Sequence, residues 1–284
     1  MANLKKITPF CLCITSMLLM QIGLALSLPV ILSLGAIHTS AYRLSVAAFV
    51  TTCVCLLKRR DKLRQYFTSN TLILGIAMAG MAIFFSIAIA NMPLALATCI
   101  EFMGPLAVVC AYNKSIRSMI LVLSALLGIY LMLANPQEQA PISQIWSAFS
   151  AAACWAAYII FGKRASESEL GIYSLCPALI VAALTSLIAS VWENSIELSN
   201  IEIPRIFMIA GLYPIAPYIL DLLALKSLKQ SIFGMLTSAE PMIALAIGVL
   251  TLGQTLTYFQ VAGLSLVVFA NAASISKPDR ANEA

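Results

Sequence analysis

Charge is what this sequence has least of. Only 10% of its 284 residues are Asp, Glu, Lys or Arg, where a soluble domain carries about a quarter. Hydrophobic residues make up 61%, and the mean hydropathy is +0.94. A soluble core of this size could not hide so much apolar surface, so the solvent must be lipid. Histidine occurs once, as His38, at an expected loop where it reads as solvated. One His excludes His-Glu-x-x-His zinc chemistry, and no Ser/His or paired-Asp arrangement lies within the apolar runs. The eight cysteines (11, 13, 53, 55, 99, 110, 154 and 176) lie in or beside those runs. Their spacing fits no zinc knuckle, and they read as small hydrophobes in helices. No catalytic residue, metal or cofactor is implied, and the net charge of +5 is too modest to suggest a nucleic-acid partner.

Long polar stretches are also missing, so no soluble domain is inserted. A helix needs about 20 apolar residues to cross a hydrocarbon core. Ten such runs fall near 8–28, 39–57, 70–90, 93–113, 116–134, 143–163, 171–192, 206–226, 230–250 and 254–275. The expected fold is an all-α integral membrane protein with ten transmembrane helices. Lys5-Lys6 before an apolar run resembles a signal peptide, and Ala25-Leu-Ser27 has cleavage-like spacing. That run is long enough to span, and more spans follow, so an uncleaved first helix is expected.

The placement of basic residues sets the orientation. Lys5, Lys6, Lys58, Arg59, Arg60, Lys62, Arg64, Lys114, Arg117, Lys163, Arg164, Lys226, Lys229, Lys277 and Arg280 all fall on one side of a ten-span chain. The opposite loops hold only Arg205, with Glu138, Glu193, Glu197 and Glu202. Both ends are therefore expected in the cytoplasm. Removing one span would scramble the pattern.

Two stretches break the apolar monotony in the same way. Thr98-Cys-Ile-Glu101 is followed by Pro105, and Thr237-Ser-Ala-Glu240 by Pro241. They occupy the fourth and the ninth run, position four in each set of five. Five is odd, so the second set enters from the opposite side. This is the inverted repeat of a transporter, with the substrate site near mid-membrane between the halves. The repeats are assigned to 1–134 and 143–275, joined by a polar loop at 135–142 and followed by a tail at 276–284.

Four charged residues fall inside spans: Arg43, Glu101, Asp221 and Glu240. Each is costly in lipid, which makes it a functional candidate. Glu101 and Glu240 read as substrate- or proton-binding groups, or as carboxyls that bond a neighbouring helix. Arg43 falls about one turn inside its expected span, and snorkelling and pairing with a carboxylate of protein or substrate both stay open. Asp221 lies near Lys226 and Lys229, which suggests a gating or structural ion pair. Trp155 and Tyr158 share a helix face, where they could stack on a substrate or on each other. Gln21 needs an interhelical partner, and Tyr218 follows a break at Pro214 and Pro217. With Pro105 and Pro241, these prolines are the candidate hinges.

Together these residues bring a family into view. The chain resembles the ten-span EamA-type drug/metabolite transporters, and among them the bacterial threonine/homoserine exporters. The resemblance rests on Glu101-Phe-Met-Gly-Pro-Leu-Ala-Val108, Ala153-Cys-Trp-Ala-Ala-Tyr-Ile159 with Gly162 and Arg164-Ala165, and Pro217-Tyr218. Phe233-Gly234, Ser238-x-Glu240-Pro241, Leu252-Gly253 and Leu256-Thr257 extend it, as do Gln21, Gly35-Ala36 and Arg43. It implies export of small amino acids or related metabolites across a bacterial inner membrane by alternating access. Glu101, Trp155, Tyr158 and Glu240 would face the cavity. The chain departs from the exporters at Met81-Ala-Ile-Phe-Phe-Ser86, at Asp221 and at Gln254. Nucleotide-sugar carriers would need cations at mid-membrane for phosphate, which are missing. The alternative is a cationic metabolite such as S-adenosylmethionine, with inward transport open. The expected partners are the substrate and the lipid bilayer, with monomer and homodimer both open.

A reporter fused to the C-terminus and active only outside the cytoplasm is expected to stay silent. A positive signal would refute the ten-span arrangement.

Overall fold

The computed structural model describes residues 2–59, 67–112, 116–133, 140–168, 171–193, 202–228, 233, 236–237, 239–254 and 257–275. The tail 276–284, most of the loop 135–142, the basic residues Arg60, Lys62, Arg64, Lys114 and Lys229, and Gly234 and Ser238 lie outside them. Among the described residues every regular element is helical. In the first half these are α1 (Ala2–Leu34), α2 (Ala36–Arg59), α3 (Ser69–Ala90), α4 (Leu94–Glu101), α5 (Met103–Tyr112) and α6 (Ile116–Leu133). The second half holds α7 (Ile142–Glu167), α8 (Leu175–Ser190), α9 (Glu202–Ala210), α10 (Ala216–Ser227), α11 (Glu240–Leu252) and α12 (Tyr258–Ile275). A short 3-10 turn, Gly171–Ser174, leads into α8, and a wide helical turn, Gly211–Ile215, joins α9 to α10.

Among the described residues five segments are long and apolar enough to cross a membrane: Pro9–Leu34, Ala36–Leu57, Ser69–Ala90, Ile142–Glu167 and Ile203–Ser227. Five shorter apolar helices accompany them. The shortening has local causes. The fourth run is divided at Phe102 into α4 and α5. Pro105 has no N–H, so the Glu101 carbonyl cannot take its usual i+4 donor. In the ninth run Phe233, Leu236 and Thr237 are helical, Ala239 is a turn, and α11 starts at Glu240-Pro241, with proline in its first turn, where a missing N–H does no harm.

The bundle is apolar on the outside as well as in its core. Large apolar side chains such as Leu57, Leu250 and Phe269 face outward, as lipid demands. Ser16, Gln21, Ser27, Ser40, Arg43, Ser86, Glu101 and Glu240 are buried. α3 packs on α7 and α8, α2 on α8, α6 on α12, α1 on α10 and α11, and α4 on α7 and α11. The α6–α12 crossing is closest at Gly128 and Gly263. A Cβ on either would run into the other's carbonyl oxygen. Small residues that let backbones meet are the usual means of helix association in lipid, where no hydrophobic force drives it.

His38 is not the solvated loop residue its position suggested. It is buried on α2. Its backbone N–H donates to Glu193 Oε2 at 3.0 Å, and Nδ1 lies 2.8 Å from the same oxygen. The physical reason is the start of α2, whose first N–H groups have no partner within the helix. Glu193, just beyond α8, supplies the acceptor. Gly35 turns the chain there with φ 88°, and a Cβ on it would collide with the Glu193 carboxylate.

Gly128→Leu and Gly263→Leu should each lower the unfolding temperature in detergent, by roughly 1–3 kcal/mol of overpacking. Gly211→Ala, with nothing near its added Cβ, should be close to neutral. Equal unfolding temperatures in all three would contradict the close crossing.

Candidate functional site

The two Thr-x-x-Glu stretches are built alike. Thr98 Oγ1 donates to the Leu94 carbonyl at 2.8 Å, and Thr237 Oγ1 to the Phe233 carbonyl at 3.1 Å. Each hydroxyl is thus satisfied by its own helix. Glu101 ends α4 and Glu240 opens α11, both only 2% exposed. The helices pack on each other, and the carboxylates lie within electrostatic reach. Gln21 on α1 donates from Nε2 to Glu240 Oε1 at 2.9 Å, which is the interhelical bond its burial called for. Glu101 Oε1 has no hydrogen-bond partner among the described residues.

A small cavity opens beside Glu240. Ser16, Met17, Met20 and Met81 line it from the first half. Trp155, Tyr158, Tyr218, Asp221, Phe233, Thr237 and Glu240 line it from the second. The structure therefore brings five of the expected residues to one place: Trp155, Tyr158, Tyr218, Asp221 and Glu240. Its free space is about 10 Å³, enough for roughly one water molecule. The ring of Trp155 meets Phe102 edge-on at 4.8 Å, and Tyr158 lies against Tyr218 at 5.4 Å. Trp155 and Tyr158 thus pack on other helices rather than on each other. The Tyr158 hydroxyl has no partner among the described residues.

Asp221 makes no ion pair among the described residues. Its Oδ1 accepts from Ser16 Oγ at 2.6 Å, so the expected pairing with Lys226 is not formed, and Lys229 lies outside the described residues. The geometry accounts for this, since Asp221 faces α1 and the cavity. Lys163 on α7 donates to the carbonyls of Leu225 and Leu228 on the α10 side and pairs with Glu167 at 2.9 Å.

Arg43 does not snorkel and has no acidic partner among the described residues. It is 1% exposed, about two turns into α2. Nη1 donates to Ser27 Oγ at 2.8 Å, and Nη2 donates to Ser86 Oγ at 3.0 Å and Ser40 Oγ at 3.5 Å. The guanidinium lies 4.8 Å from the centre of the Tyr213 ring. Tyr213 belongs to the wide turn, with an extended backbone (φ −154°, ψ 114°), so the helix is indeed broken at Pro214. Ser16 and Tyr213 escaped the sequence reading. A lone serine gives no signal, but a tyrosine directly before a helix-breaking proline was a usable one.

Comparison with known proteins places this geometry. The description of the EamA-like transporter family matches residues 142–275. The threonine/homoserine exporter RhtA of Escherichia coli (strain K12) is 33% identical over 208 residues, covering 70% of this chain and 68% of that protein. The chain belongs to the EamA-like transporter family. RhtA of Salmonella typhimurium (strain SL1344) is 32% identical over the same length. A solved structure of 18% identity matches with a TM-score of 0.67, covering 94% of this chain and 97% of that one; it shows that the fold is shared. This EamA-like protein is a multi-pass membrane protein and a small-molecule transporter, from a family of transporters rather than enzymes.

Gln21→Leu removes the donor to a buried carboxylate oxygen. The transporter should lose about 1–3 kcal/mol of stability, read as a lower unfolding temperature in detergent. An unchanged value would mean that the Gln21–Glu240 bond carries no stabilisation.

Proposed function

We propose that this transporter exports small amino acids of the threonine/homoserine class across a bacterial inner membrane by alternating access. The observation that carries the reading is the cavity. Both halves of the chain line it, and it joins carboxylates to aromatic faces. Such a lining suits an ammonium group through charge and cation–π contact. The similarity to RhtA supports the amino-acid cargo. With room for roughly one water, the cavity is closed, and cargo enters only when the halves part. Rocking about the wide turn Gly211–Ile215 and the breaks at Pro105 and Pro241 is the motion proposed.

The chain runs through ten spans as two inverted repeats, 1–134 and 143–275, with both ends in the cytoplasm. Several observations support this. The family match covers 142–275. Helix pairing follows the shift of five expected of a repeat: α2 meets α8, α4 meets α11 and α6 meets α12, each with its own counterpart. The contact of α3 with α7 is mirrored by that of α10 with α1. Trp146, Trp192 and Tyr258, all largely exposed, stand at helix ends that this topology puts on the outer face, where aromatic belts form.

Glu101 and Glu240 act on the cargo or on a coupled proton. Glu101→Gln and Glu240→Gln should keep the fold and cut threonine or homoserine flux in proteoliposomes at least roughly tenfold, or abolish its dependence on a pH gradient. Unchanged flux in both variants would refute the role. A second reading is a cationic metabolite such as S-adenosylmethionine. It is favoured because Asp221 and Glu240 border the cavity while Arg43 does not. Competition of that cation against threonine in the same vesicles separates the two.

A further inference from the structure

The unexplained feature is Arg43. Buried ions are tolerated when a countercharge and full hydrogen bonding compensate their lost hydration. Arg43 has neither. Its partners are three neutral hydroxyls and an aromatic face, and Nε has no partner among the described residues. No carboxylate pairs with it among those residues.

The serines are arranged to hold the cation rather than to neutralise it. Ser27 Oγ gives its proton to the Gly23 carbonyl at 2.6 Å, and Ser40 Oγ has acceptors for its one proton in the carbonyls of Ala36 at 2.8 Å and Ala82 at 3.0 Å and in Ser86 Oγ at 3.0 Å. With those protons committed, their lone pairs face the guanidinium and fix its orientation. Arg is suited to such a post, because its planar fork matches a carboxylate and it stays charged when buried.

Tyr213 contacts both this cation and Tyr218 of the acidic site. Its ring lies on Arg43 and edge-on to Tyr218, 6.2 Å away, and Tyr218 lines the cavity. Glu101 and Glu240 are also within electrostatic reach of Tyr213. A positive post and a negative post thus flank one aromatic residue, and that residue sits in the irregular turn where α9 and α10 are joined.

We propose that Arg43 binds the carboxylate of a zwitterionic amino-acid cargo whose ammonium is held at Glu240, and that Tyr213 covers Arg43 until the turn Gly211–Ile215 shifts. This rests on the amino-acid reading above. It assigns Arg43 a ligand of its own and makes Tyr213 a gate between the two charged posts. An inorganic anion such as chloride shares the chemistry, and the test separates the two sources.

The test is thermal unfolding of the purified full chain in detergent, titrated with L-threonine and with L-threonine amide, in chloride and in gluconate. The unmodified protein should bind threonine roughly tenfold or more tighter than the amide, as loss of a charge-assisted fork implies. In Arg43→Gln this preference should vanish. In Arg43→Lys, which keeps the charge and serves if the glutamine variant does not fold, it should shrink to roughly a few-fold. A full preference for threonine in either folded variant would overturn the inference and leave the amino-acid reading intact. A chloride effect lost in the variants with threonine preference unchanged would also overturn it, assigning the post to an inorganic anion. No response of the unmodified protein to either compound would overturn the amino-acid reading, and this inference with it.

Discussion

Every polar group at membrane depth must find its partner within the protein, because hydrocarbon offers none. That constraint organises this bundle more than any single packing contact. Gln21 exists at the centre of α1 because Glu240 needs a donor. Ser16 meets Asp221, and Ser27, Ser40 and Ser86 converge on Arg43. These bonds tie α1 to α10 and α11, and α2 to α1 and α3. In water such links would add little. In lipid the alternative is an unsatisfied group, so they help to decide which helices are neighbours.

The same constraint separates structure from work. A carboxyl that has its donors can be a strut. One that lacks them, as Glu101 does at Oε1, is left to water, a proton or cargo. Glu101 is not among the residues that line the closed cavity, whose carboxylates are Asp221 and Glu240, and tyrosine and tryptophan rings are packed across the space that a cargo would need. Opening requires moving those rings, and the irregular turn before α10 and the interruption at Phe102 are where the helices are least continuous. Proline supplies both breaks, by withholding a backbone donor.

Much of this could be read in advance, and the reason is physical. A charge inside an apolar run is conspicuous, so Glu101, Glu240, Asp221 and Arg43 were visible as candidates. The repeated Thr-x-x-Glu with a following proline was visible too, and both threonines bond the same way in their helices. Partners were not visible. Nothing in the order of residues says that Asp221 takes Ser16 rather than Lys226, since the two are equally plausible until α1 is placed. His38 looked like a solvated loop residue because Glu193, its acceptor, is 155 positions away in the chain.

The sequence by itself determined the solvent, the helical class, the approximate apolar segments and the identity of the buried charges. These follow from composition and from the short-range rule that a backbone in lipid must bond to itself. Only the tertiary structure decided that Arg43 is held by serines under Tyr213 and that Glu240 takes Gln21. It also decided that five of the expected residues border one cavity with room for roughly one water. Those outcomes depend on how helices far apart in the chain are packed, and a one-dimensional pattern of apolar runs does not encode that packing.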